Sequence, residues 1–208
     1  SGNIRYFFPA SGNNMFILVK NMLLKQNKQS GKFQQVAIFP DSLMKFTFQQ
    51  ETALPANQYL LPGSNRLLLI DLNKGKITKH WRINNIIGAV QLQNGDLLAS
   101  TGNNRELFVI NKASDGIVKN YGLLKDQLGK PVNGYLRTMA VQSDGKVVIT
   151  SGYGGIYLLD PLQETLWNYA HDPLDHKSIS GNNTYKVSTD ADGFVFVTTR
   201  SSGLNYYN

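Results

Sequence analysis

Asp144-Gly145 recurs forty-eight residues later as Asp192-Gly193, and its surroundings recur with it. Val147 and Ile149 return as Val195 and Val197, and Gly155-Ile156 returns as Gly203-Leu204. Both copies read strand, Asp-Gly turn, strand, Gly-containing turn, strand. A fixed period of about 40–50 residues made only of short strands confines a chain to a series of small sheets, a propeller or an array. Weaker copies extend backward. Asn94-Gly95 and Leu97-Leu98-Ala99-Ser100 align with Asp144-Gly145 and its strand, and Asn65-Arg66 to Asp71 resembles Asn104-Arg105 to Asn111. Gly12-Asn13-Asn14, then Met15 to Val19, then Ser30-Gly31-Lys32-Phe33 opens the series.

Asn-Gly and Asp-Gly favour two-residue hairpins because both central positions take positive φ. Each copy therefore reads as four antiparallel strands, a to d. In the fourth copy they are expected at 136–142, 146–151, 155–160 and 165–170, and in the fifth at 184–189, 194–199 and 203–207. Strand a carries small residues, Gly88, Ala89 and Ala140, whereas strand d carries Phe33, Trp81, Tyr121, Trp167 and Tyr169. Such a gradient suits a wedge-shaped blade, narrow inside and broad outside. A β-sandwich has similar strand spacing but no reason to repeat its sequence five times. The expected fold is an all-β propeller with blades at 1–40, 41–83, 84–122, 134–171 and 183–208 and no second domain. The fifth copy lacks a strand d, and the first has its own strand a from Asn3 to Phe8, so no spare strand completes the last blade. The count leaves an unusual five-bladed ring with a three-stranded last blade or, the favoured reading, a piece of a larger propeller, whose open strand edges could pair with a second copy.

The chain has 208 residues, 41% hydrophobic, enough for a substantial core. No apolar run reaches the 18 or more residues of a membrane helix, and Ser1-Gly2-Asn3-Ile4-Arg5 is no signal peptide. Zero cysteines exclude disulfides and thiolate metal sites. The net charge of +7 favours acidic partners, such as an acidic carbohydrate. Lys and Arg are nevertheless dispersed, with no signature of nucleic-acid binding.

His171-Asp172-Pro173-Leu174-Asp175-His176 is the densest set of metal-ligand side chains, with His171 and His176 as its imidazoles. Asp and Pro are also ordinary turn formers, and an interblade loop is the favoured reading. Asp190-Ala191-Asp192-Gly193 starts like a calcium loop but lacks the later ligands. Ser151-Gly152-Tyr153-Gly154-Gly155 has no following helix to present amides to a phosphate. No cofactor is implied, and three His give no confident catalytic triad. What repeats is a polar turn between strands b and c, which places Arg66, Arg105, Tyr153 and Arg200 at equivalent positions of successive blades. Arg offers planar forks for carboxylate or sulfate, and Tyr a stacking face for a sugar. These four are the expected ligand-binding residues, although solvated turns explain them equally well.

His171-Asp172-Pro173, Ser178-Ile179-Ser180-Gly181-Asn182-Asn183, Asp192-Gly193-Phe194-Val195-Phe196-Val197-Thr198-Thr199 and Gly203-Leu204-Asn205 together resemble one repeat of the two-component regulator propeller family. Ile179 stands where that family has Leu, Phe196 where Trp is usual, and Ser202 where the closing motif has Gly. The resemblance covers the last 38 residues and part of the fourth copy. It implies a seven-bladed propeller in the periplasmic sensor part of a Bacteroidetes hybrid two-component histidine kinase. Such a protein detects oligosaccharides and reaches the membrane and its kinase through parts outside these residues. On that reading the chain has no catalytic role. Two other classes use the same turns: propeller enzymes of lyase or quinone-dependent dehydrogenase type, and scaffolds that bind proteins.

Overall fold

A computed structural model of the chain describes residues 4–44, 50–102, 106–114, 116–122 and 124–207. Strands pair in sequence order within five antiparallel sheets. The first holds β1 (Ile4–Ala10), β2 (Asn14–Val19), β3 (Met22–Gln26) and β4 (Phe33–Ile38). The second holds β5 (Thr52–Leu54), β6 (Gln58–Pro62), β7 (Leu67–Asp71) and β8 (Lys76–Trp81). Next come β9 (Ile86–Gln91), β10 (Leu97–Thr101), β11 (Leu107–Ile110) and β12 (Ile117–Asn120). The fourth sheet is β13 (Leu136–Val141), β14 (Val147–Ser151), β15 (Ile156–Asp160) and β16 (Thr165–Tyr169). The last is β17 (Thr184–Thr189), β18 (Val195–Thr199) and β19 (Leu204–Tyr207), three strands among the described residues. The only helical turns described are 3-10 turns at Asp41–Leu43 and Pro55–Asn57. No described helix is long and apolar enough to cross a membrane. The fold is a β-propeller, all-β, with five blades. In the last two blades the strands begin and end within one residue of their expected bounds.

The chain forms two compact units, Ser1–Ile86 and Ile87–Asn208. In the first, Phe8, Phe16, Leu18, Tyr59, Leu68 and Ile70 belong to one core that joins its two blades. The second has two seams. Leu98, Val109, Val147, Ile149 and Tyr157 pack between the third and fourth blades, whereas Val148, Ile156, Val187, Val195 and Val197 pack between the fourth and fifth. The alternation of Val147 and Ile149 is thus half of the pattern: Val148, between them, is equally buried on the opposite face. Middle strands β7, β10, β11 and β14 are buried along their whole length. Burying one Leu or Val side chain contributes about 1.5–3 kcal/mol, so these seams hold the blades together. The d strands β4, β8 and β12 are the exposed ones, as a broad outer rim requires.

Turns between strands c and d share one device. A side-chain oxygen at Asn27, Asp71, Asn111 and Asp160 accepts backbone N–H groups two or three residues on, at 2.9–3.1 Å. These are Asx turns, which satisfy amides that the hairpin leaves over. Asp190 works the same way, accepting from Asp192 and Phe194 at 3.0 and 2.9 Å, so the calcium-like sequence is a hairpin turn.

Burial raises the pKa of Asp71, but the Lys74 amide at 3.0 Å, its ammonium at 3.3 Å and a further amide outweigh it and hold the carboxyl below its ordinary value. A depressed folded pKa stabilises above the unfolded value and is lost in acid. Asp71→Ala should therefore lower the urea midpoint at pH 7. The gap from wild type should narrow as pH falls through and below about 4. A gap independent of pH would show that the charge contributes nothing.

Candidate functional site

Strand a of the fourth blade carries a β-bulge at its start. Leu136 faces Ser151 and Met139 faces Ile149, so Arg137 and Thr138 together oppose Thr150. The fifth blade repeats it: Thr184 faces Thr199 and Lys186 faces Thr198, leaving Tyr185 as the extra residue. In both, a strand-b threonine replaces the missing ladder acceptor. Thr150 Oγ1 accepts from Thr138 N at 2.9 Å, and Thr198 Oγ1 accepts from Lys186 N at 3.1 Å. A bulge turns the side chain of its extra residue away from the ladder's alternation. Here the re-aimed side chains are Arg137 and Tyr185.

They meet. The Arg137 guanidinium lies 4.8 Å from the ring centre of Tyr135 and 5.1 Å from that of Tyr185. Its Nη1 donates to Asn183 Oδ1 at 2.9 Å and to the Thr184 carbonyl at 2.6 Å, and its Nη2 donates to the Tyr135 hydroxyl at 2.6 Å. Tyr153, on the turn between β14 and β15, meets Tyr135 edge to face at 6.3 Å. Arg137 is 8% exposed, whereas Tyr135, Tyr153 and Tyr185 are 38%, 60% and 61% exposed. A buried cation thus backs two accessible aromatic rings, and a third leans on one of them, at the same end of two neighbouring blades. Each cation–π contact contributes about 0.5–2 kcal/mol, depending on desolvation.

Hydrogen bonds across the blade junction hold the cluster in place. The buried Thr184 hydroxyl accepts from Ser151 N at 2.8 Å and donates to the Gly155 carbonyl at 2.7 Å. Thr138 Oγ1 accepts from Val187 N at 3.0 Å. On the Tyr153 turn, Ser151 Oγ bonds the Asn133 carbonyl and accepts from Gly154 N at 3.0 Å. Gly152 passes so close to Tyr135 that an added Cβ would lie 2.9 Å from its ring.

Of the four residues expected to bind ligand, the structure relates Tyr153 and Arg200. Arg200 is exposed, and its N–H donates at 2.8 Å to the carbonyl of Asn183, whose side chain accepts from Arg137. Arg66 belongs to the first unit, where its Nε donates to Asn65 Oδ1 at 3.1 Å. Arg105 lies outside the described residues. The repeat pattern missed Tyr135, Arg137 and Tyr185. The available signal was the pair Thr150 and Thr198, forty-eight residues apart in strands otherwise apolar at their centres.

The loop with His171 and His176 uses its polar atoms internally. His171 Nδ1 is 2.7 Å from the Ile179 carbonyl, and its N–H donates to Asn182 Oδ1 at 2.6 Å. Asp172 and Asp175 accept from Leu174 N and Lys177 N, both at 2.9 Å. Ser180 is tied to Asn205 and to the Ser202 carbonyl at 2.8–2.9 Å. The His-Asp-Pro and Ser-Ile-Ser-Gly-Asn-Asn segments are therefore a hydrogen-bonded interblade loop. Among the described residues no three His, Asp or Glu side chains gather as a metal-binding set.

Sheets and seams of this kind define a β-propeller. The chain is similar over its full length to a catalytically inactive virginiamycin B lyase from Staphylococcus aureus, solved with quinupristin, at 15% identity and TM-score 0.68, covering 70% of that protein. Over 98% of its length it is similar to the extracellular domain of a proposed hybrid two-component system from B. thetaiotaomicron, at 16% identity and TM-score 0.66. A second such domain from that organism matches over 99% at 15% identity and TM-score 0.68. The chain spans 26% and 27% of those two proteins, about a quarter of each. At these identities the likeness is one of fold. No protein-family profile matches the sequence, and no curated protein does.

Gly155 and Gly203 are repeat equivalents with φ of +78° and +83°, in the left-handed region. A Cβ on Gly155 would meet the Tyr169 carbonyl at 2.3 Å, whereas one on Gly203 would meet nothing within 4 Å. Gly203→Ala should cost about 1–2 kcal/mol, the ordinary penalty of that conformation. Gly155→Ala should cost more, about 3 kcal/mol or above, because the backbone beside the cluster must also shift. Equal losses in urea denaturation would refute the close approach.

Proposed function

We propose that the chain is part of an extracytoplasmic ligand-sensing propeller of a hybrid two-component system. Its ligand is an oligosaccharide bound on the tyrosine face between the fourth and fifth blades. The observation that carries the site is a buried Arg137 against the accessible rings of Tyr135 and Tyr185, with the exposed ring of Tyr153 edge to face on Tyr135. Sugars bind by laying C–H faces on aromatic rings while directional polar groups read their hydroxyls. Arg137 and Asn183 supply such groups beside the rings, and the exposed Arg200 is joined to Asn183 through its backbone N–H. Similarity to two extracellular domains of proposed hybrid two-component systems supports the sensor role, as does the sequence resemblance of the last repeat. The chain performs no chemistry on this reading: it binds, and a kinase outside these residues responds. A propeller lyase is the second reading, favoured by the likeness to virginiamycin B lyase.

An oligosaccharide array followed by calorimetry on the 208-residue chain tests both. Tyr153→Ala and Tyr185→Ala should each weaken binding about tenfold, a loss of about 1.4 kcal/mol, with the fold intact by circular dichroism. Arg200→Glu should weaken it as well. Quinupristin incubated with the protein should stay intact by mass spectrometry. Binding unaffected by either tyrosine would overturn the site, and cleaved quinupristin would make the protein a lyase.

A further inference from the structure

The sensor reading leaves the charge of the ligand open, and Arg137 bears on it. A guanidinium 8% exposed is expected to have a carboxylate for company, because burying a lone cation is costly. Among the described residues no carboxylate pairs with it: its hydrogen-bond partners are neutral, namely an amide oxygen, a carbonyl and a phenol. The two tyrosine rings offset part of the penalty through their negative faces, but a quadrupole is not a counter-ion. Of the five N–H donors of a guanidinium, those three bonds use three, which leaves Nε and one hydrogen of Nη2. Nε and Nη2 are adjacent, the arrangement that grips two oxygens of one anion.

Two further features point the same way. Arg200, a second cationic residue, is joined through its backbone N–H to the carbonyl of Asn183, the residue whose side chain accepts from Arg137. The net charge of +7 draws anions toward the protein from a distance. A neutral sugar would need the rings alone. Nothing about stacking calls for a buried cation behind them.

Resting on the reading of this cluster as a glycan site, we propose that its ligand is an acidic saccharide. Its carboxylate or sulfate lies against Nε and Nη2 of Arg137, and its ring lies on the neighbouring tyrosines. The anion would supply the charge partner that the fold withholds, so Arg137 is the residue that selects for acid.

Calorimetry of the 208-residue chain with matched saccharides tests this. Oligosaccharides from pectin, alginate and chondroitin are compared with the same preparations after carboxyl reduction or desulfation, alongside neutral glucans and mannans. At least one acidic preparation should bind, its neutralised partner should bind at least about tenfold more weakly, and added salt should weaken the acidic complex. Arg137→Gln should remove the preference for the acidic partner, and Arg137→Lys should keep part of it. Should Arg137→Gln fail to fold, the wild-type comparison still decides. Equal affinity for acidic and neutralised partners, or binding of neutral glycans alone, overturns the acidic ligand and leaves the glycan site standing. Binding of none of them at millimolar concentration overturns the glycan reading itself, and this inference with it.

Discussion

The middle strands β7, β10, β11 and β14 are buried on both faces, and the rest of the structure follows from that. A sheet with Val147 and Ile149 on one side and Val148 on the other cannot leave either side in water. A single blade such as Leu136–Tyr169 is too small to bury both by folding on itself. It must lie between neighbours, and each added neighbour presents the same demand. The repeat is the chemical answer to this constraint, because identical blades supply identical complementary faces. Polar chemistry is excluded from the seams, so it collects at the strand ends, where turns and blade connections meet.

Those ends are where the ladder can be broken at tolerable cost. The bulges in β13 and β17 each leave an amide without its strand partner, and Thr150 and Thr198 take it over through their hydroxyls. A bulge so satisfied re-aims one side chain per blade without an unpaired buried donor. In adjacent blades the two re-aimed side chains, Arg137 and Tyr185, point at each other. Thr184 then locks the junction through Ser151 and Gly155. The result is a preorganised cluster on rigid strands, the arrangement that binding sites need.

Much of this was legible in the residues. Turn chemistry at Asp144-Gly145 and Asp192-Gly193 located the hairpins to within a residue, but only the glycines there take positive φ. The loops have three residues instead of the expected two, closed by Gln142 N–H on the Lys146 carbonyl and Asp190 N–H on the Phe194 carbonyl. Asp71 and Asn111 end two matched segments of the repeat, and their side chains cap the turns that follow. Tyr153 was recognisable as an exposed turn residue. Arg137 and Tyr185 were not, since a strict two-residue alternation assigns each strand side chain a face, and the bulges suspend that rule at these positions. The His171 to His176 segment shows the opposite case. Its residue types suggest a metal, but His171, Asp172 and Asp175 bond a carbonyl and amides of their own loop, and among the described residues no three such side chains gather.

The amino-acid sequence by itself determined that this protein is a series of small antiparallel sheets and, in the last two blades, how long each strand is and where each turn falls. These are local properties, set by backbone conformation and by side chains a few residues apart. Tertiary structure alone decided which polar residues form a site. Arg137 reaches Asn183, Thr184 and Tyr185 only when the fourth and fifth blades are stacked in register, some 46 residues apart in the chain. A contact of that kind has no signature in either segment taken alone, because its geometry belongs to the seam between them.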